Sequence, residues 1–130
     1  MKNKYLLSLL WVIVSGFGIL MAQEIAIIPQ PAHLIVKNES FKFGKQLKVC
    51  IASYRGDSVT LVFDSFKDDF QKATGIKVTS VRSEAKAGIV LSVNQTLAPE
   101  AYKLDVSPKQ IRIEAARPAG FYYALQTLKQ

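Results

Sequence analysis

Few side chains in this sequence could do chemistry, and their spacing keeps them apart. The chain holds one histidine, His33, and one cysteine, Cys50. Zinc or iron sites need clustered His, Cys and carboxylate ligands, so no metal site is expected. His33 follows Pro31-Ala32 in an extended stretch and has no base or orienting partner in view, so it reads as a solvated side chain. Cys50 sits in the strand-like run Leu47-Lys-Val-Cys-Ile51, where a buried small hydrophobe is its ordinary role. Asp68-Asp69 looks like a carboxylate pair, but neighbours on a helix point about 100° apart and cannot flank one bond. Gly16-Phe-Gly18 falls inside an apolar leader, which rules out a phosphate loop. Asn38-Glu-Ser40 and Asn94-Gln-Thr96 match the N-glycosylation triplet, which matters only in a host that glycosylates. No catalytic, cofactor-binding or metal-binding residue is expected in this domain.

The elements around these residues describe an exported domain. Lys2 and Lys4 precede an uncharged, largely apolar run from Tyr5 to Met21, and Ala22 offers a small residue for cleavage. That is the pattern of a signal peptide over residues 1–22, with an uncleaved membrane anchor as the alternative. Residues 23–130 suffice for one domain with its own core. The formal charge of +7 is spread along the chain, without a block of like charge or an aromatic-interleaved basic stripe. A solvated basic surface is expected, with no nucleic-acid partner and membrane contact only through the leader. A single cysteine gives an exported chain no internal disulfide.

Along the mature chain the pattern is α+β. Ile27-Ile-Pro-Gln-Pro31 is extended, and short strands are expected near Leu34–Lys37, Ser40–Phe43 and Leu47–Ala52. Gly56-Asp57-Ser58 opens a helix to about Thr74, with Val59, Val62, Phe63, Phe66, Phe70 and Ala73 on its buried face and Gly75 closing it. Asp68 and Lys72 are spaced to pair on the wet side. Ile76–Val81 alternates as a strand, and Ile89–Val93 is apolar throughout, as a strand covered on both faces would be. Tyr102, Leu104 and Val106, then Ile111, Ile113 and Ala115, alternate with charged residues about a Ser107-Pro-Lys-Gln110 turn, which predicts a hairpin. Gly120–Gln130 ends the chain as a helix whose stripe is Phe121, Ala124, Leu125 and Leu128. That helix has no Gly or Asn cap, so the chain reads as a fragment or as the front end of a larger protein. The expected fold is a mostly antiparallel or mixed sheet with two helices packed on one face.

Three segments, IIPQPAHL (Ile27–Leu34), EAYKLDVSPKQIRIEA (Glu100–Ala115) and GFYYALQTLKQ (Gly120–Gln130), occur in this order and spacing. Together they resemble the N-terminal domain that precedes the catalytic barrel in β-N-acetylhexosaminidases of glycoside hydrolase family 20. The resemblance covers essentially all of the mature chain, although Val49–Val93 matches in pattern more than in residues. It implies a larger exo-acting enzyme that removes terminal β-linked N-acetylglucosamine or N-acetylgalactosamine. The substrate's own acetamido group would attack the anomeric carbon, an exception to the two-carboxylate scheme. A Glu as acid and base and an Asp orienting the acetamido group would lie on the barrel, and none of these can be placed in this sequence. No cofactor is implied.

The resemblance gives the terminal helix a role. Its apolar stripe can pack under the domain's own sheet, while Tyr122 and Tyr123 point elsewhere and are either barrel-packing residues or tyrosines lying over the sheet edge with their hydroxyls in water. The expected partner is therefore a C-terminal barrel of the same polypeptide, which would carry the glycan substrate. Two alternatives stay open: a stand-alone exported module that binds glycan or protein, and the accessory domain of another glycosidase such as an α-glucuronidase. For glycan binding the candidate aromatics are Tyr54, Tyr102, Tyr122 and Tyr123, and Tyr102 falls on the apolar register of its strand.

Overall fold

A computed structural model describes residues 31–52 and 57–130. The leader, the start of the Ile27–Pro31 stretch, Tyr54 and Gly56 lie outside the described residues. The chain folds as β1 (Gln46–Ala52), α1 (Asp57–Thr74), β2 (Lys77–Ser80), β3 (Ile89–Val93), β4 (Tyr102–Val106), β5 (Ile111–Ala115) and α2 (Pro118–Leu128). A 3-10 turn, Glu84–Lys86, lies between β2 and β3.

The five strands form one sheet in the order β2-β1-β3-β5-β4. Of the two sheet types expected, it is the mixed one: β1 pairs parallel with β2 and β3, β3 pairs parallel with β5, and only the β4–β5 hairpin is antiparallel. The chain winds outward from β1 in both directions. It goes to β2 through α1 on one face, then back across to β3 through the 3-10 turn on the other. Right-handed crossovers require opposite faces when the direction reverses.

Both helices cover the same face. Alternation along the strands sends Leu47, Val49, Val78, Ile89, Leu91, Ile111, Ile113 and Ala115 to that side. There they meet Val59, Phe63, Phe66 and Phe70 of α1 and Phe121, Ala124 and Leu125 of α2, and all of these are buried. Gly75 closes α1 as expected: its φ is 72°, and its N–H donates to the Gln71 carbonyl at 2.9 Å. Central β3 is buried on both faces at Ile89, Val90 and Leu91. On the far face Val90 and Cys50 lie beneath Ala87. The Gln110 side-chain amide pins that turn to the hairpin, donating to the carbonyls of Glu84 at 2.9 Å and Ala87 at 3.0 Å.

Three local expectations need correction. Residues 34–37 and 40–43 are not strands. The apolar positions of the second stretch serve packing and not a ladder: Phe41 lies over Gly88, and Phe43 meets Phe70 with ring centroids 5.4 Å apart. Ala73 is exposed, because it belongs to the last turn of α1 and lines an open groove beside Leu128. Among the described residues the ion pair that forms on α1 joins Asp69 to Lys129, the residue just past α2, at 2.9 Å, in place of the Asp68–Lys72 spacing. A residue at the end of the other helix reaches α1 in a geometry its own turn does not offer.

Candidate functional site

The residues with chemical potential stay scattered. His33 is exposed in the N-terminal segment. Cys50 is a buried free thiol whose Sγ lies 3.6 Å from the Arg82 carbonyl. Burial, and then the Glu84 charge, hold that thiol above its ordinary pKa. Asp69 is turned to Lys129, whose hydrogen bond and charge hold its carboxyl below the usual carboxylate range. Asn94 closes β3 as an Asx turn: its Oδ1 accepts from Thr96 N at 3.1 Å and Thr96 Oγ1 at 2.6 Å, and its amide donates to Glu114 Oε2 at 2.8 Å. The second triplet, Asn38-Glu-Ser40, lies on the exposed segment.

The two open faces of the domain differ in character. The far face of the hairpin carries Lys103, Asp105, Arg112 and Glu114, with Arg112 reaching Glu84 at 3.4 Å. The outward side of the helix layer carries large apolar groups beside the exposed Asp64, Asp68 and Lys72 of α1. Tyr122 is 46% exposed, Tyr123 42% and Leu61 69%.

Helix geometry explains why these three residues face out together. Helices α1 and α2 each follow one of the parallel strands, so they run in the same direction, and their last turns meet at Asp69–Lys129. Stepping back about two turns from each partner puts Tyr122 level with Val62, beside Leu61. Phe121, Ala124 and Leu125 take the inward side of α2, which leaves Tyr122 and Tyr123 outside. On the β4 side, Thr127 Oγ1 and the Tyr102 hydroxyl lie 2.7 Å apart, which ties the helix to the sheet edge.

The tyrosine pair does not form a flat platform. Its ring centroids are 5.7 Å apart at an interplanar angle of 68°, an edge-to-face corner. A sugar ring stacked on one ring would meet the edge of the other. The arrangement suits packing against an irregular protein surface.

Sequence reasoning missed Gly120, the residue that sets how closely α2 approaches the sheet. A Cβ built there would lie 2.5 Å from the Ala101 carbonyl oxygen and 2.8 Å from the Ala115 Cβ. The available signal was a glycine in the first turn of a helix with Pro118 at its start, a position where most residues would serve the helix better.

A family model described as glycosyl hydrolase family 20, domain 2, matches residues 24–130. No curated protein matches the chain. Among solved structures the chain is similar to a family 20 exo-β-N-acetylglucosaminidase from Vibrio harveyi, at 33% identity and a TM-score of 0.70, over 80% of this chain and 15% of that one. It is also similar to the Streptomyces plicatus N-acetyl-β-hexosaminidase, at 26% identity and a TM-score of 0.68, over 81% and 20% of the two chains. A Flavobacterium johnsoniae chitobiase, 24% identical with a TM-score of 0.67 over 81% and 17%, shares the fold. The chain thus spans 15% to 20% of the length of these structures.

Proposed function

Since this chain belongs to glycoside hydrolase family 20, through domain 2 of that family, we propose that it is the non-catalytic accessory domain of an exported β-N-acetylhexosaminidase. The activity of the whole enzyme would be removal of terminal β-linked N-acetylglucosamine or N-acetylgalactosamine. The names of the Vibrio harveyi and Streptomyces plicatus relatives support that substrate class. Catalysis would be substrate-assisted, with retention of configuration, and its residues would lie on a barrel beyond this domain. Residues 1–22 would direct export and be removed.

The role of this domain is to brace that barrel through the outward side of the helix layer. The observation that carries the reading is that Tyr122 and Tyr123 stand exposed side by side on α2, with Leu61 exposed on α1 of the same layer. Exposed apolar side chains gathered on one face mark a contact surface, while isolated ones need no explanation.

The test of function is hydrolysis by the intact enzyme encoded at this gene. It should release 4-nitrophenol from the N-acetyl-β-glucosaminide with β-configured sugar as the first product, and the secreted form should begin at Gln23. First-formed α-product, or no hydrolysis of any N-acetyl-β-hexosaminide, would refute the activity. An N-terminus still at Met1 would refute cleavage of the leader.

A further inference from the structure

Leu34, Ile35 and Val36 are three consecutive large apolar residues outside any helix or strand, and they are 47%, 69% and 63% exposed. Among the described residues no backbone hydrogen bond holds residues 31–45. An ion pair ties the front of this stretch to the sheet: Lys37 Nζ lies 2.8 Å from Asp105 Oδ1. Asp105 belongs to β4, the strand at the open edge of the sheet. Among the described residues, a segment without ladder hydrogen bonds is thus held beside a strand edge without a neighbour.

We propose that residues Leu34–Lys37 are a strap that closes onto the free edge of β4 as a sixth strand. Direction and register follow from the structure. After Lys37 the chain passes Gly88 at Phe41 and enters β1 at Gln46, so it crosses the end of the sheet where β4 finishes. In the closed strap, residues before Lys37 reach that end in the direction of β4, and the added pair is parallel. With Lys37 opposite Asp105, Val36 stands by Leu104 and Ile35 by Lys103.

The backbone groups match this register. Ile111 N–H donates to the Gly88 carbonyl on the β3 side, so Arg112 and Glu114 turn theirs to β4. Their partners Asp105 and Lys103 point inward, which leaves the Leu104 N–H and C=O at the open edge. In the closed strap Leu104 N–H donates to the Ile35 carbonyl, and Lys37 N–H donates to the Leu104 carbonyl. Leu34 and Val36 then extend the apolar side of the sheet next to Tyr102 and Leu104, while Lys37 stays on the charged side. Covering an exposed edge is also what keeps a sheet from pairing with another molecule.

Hydrogen exchange of the 130-residue chain, followed by NMR, tests the strap. The Leu104 amide should exchange about tenfold or more slowly than an unstructured peptide, and Ile35→Pro, which removes a ladder donor, should restore the peptide rate. Core amides such as Ile113 should not change, which shows that the variant folds. Equal Leu104 rates in the two proteins would overturn the proposal. Protection that rises with protein concentration would also overturn it, because a second copy would then occupy the edge.

Discussion

Gly120 brings α2 so close to Ala101 that the position of its missing Cβ lies 2.5 Å from that residue's carbonyl oxygen. The nearest atoms are backbone and a Cβ, which cannot swing away as the end of a long side chain can. Alanine normally favours a helix over glycine by about 1 kcal/mol. Here the clash should win. Gly120→Ala is expected to destabilise the domain by about 1–3 kcal/mol in urea denaturation. An unchanged or raised midpoint would show that α2 sits farther from the sheet.

Leu61 and Phe63 lie two residues apart on α1 and should respond in opposite ways. Phe63 is buried in the core, so Phe63→Ala should cost about 3–5 kcal/mol. Leu61 faces out, so Leu61→Ser in the isolated domain should stay within about 0.5 kcal/mol of the parent. Equal losses would contradict the orientation of α1.

Cys50 should be slow to react. The 3-10 turn covers it, and Gln110 holds that turn by two hydrogen bonds. Gln110→Ala should speed alkylation by about tenfold, the effect of easing local opening by roughly 1.4 kcal/mol. A rate unaffected by the substitution would place the cover elsewhere.

The Asp69–Lys129 pair predicts an acid-side effect. The Asp69 pKa is lowered in the folded state, first by the Lys129 hydrogen bond and then by its charge. Its contribution to stability is therefore complete above the unfolded carboxyl value of about 3.9 and is lost as pH falls through the lower folded value. Both side chains are partly in water, so the effect should be small and weakened by salt. Lys129→Ala should narrow the melting-temperature difference between pH 6 and pH 2. A difference as large as the parent's would mean that the pair contributes nothing.

The sequence made α1, the β4–β5 hairpin and the stripe of α2 legible, because each carries a complete local period. Phe63, Phe66 and Phe70, or Ile111 and Ile113, announce their partner face without reference to the rest of the chain. Strand order was not legible. The parallel pairing of β1 with β2 and β3 depends on crossovers, and nothing in Gln46–Ala52 alone selects its neighbours. Leu34–Lys37 and Ser40–Phe43 carried strand-like composition, but the aromatic positions were placed by contacts with Gly88 and Phe70, far along the chain. Of the candidate site, Tyr122 and Tyr123 followed from helical spacing. Leu61 and Gly120 required the second helix and the sheet to be in place.

The bracing role is tested most directly by replacing Tyr122 and Tyr123 with serine, both in the isolated domain and in the intact enzyme. Melting temperature is the readout, because a contact surface acts only when its partner is present. The isolated domain should melt within a degree or two of its parent, as expected for exposed positions. The intact enzyme should melt several degrees lower, with its barrel unfolding earlier. Equal melting of parent and variant enzymes would show that the barrel does not rest on this face.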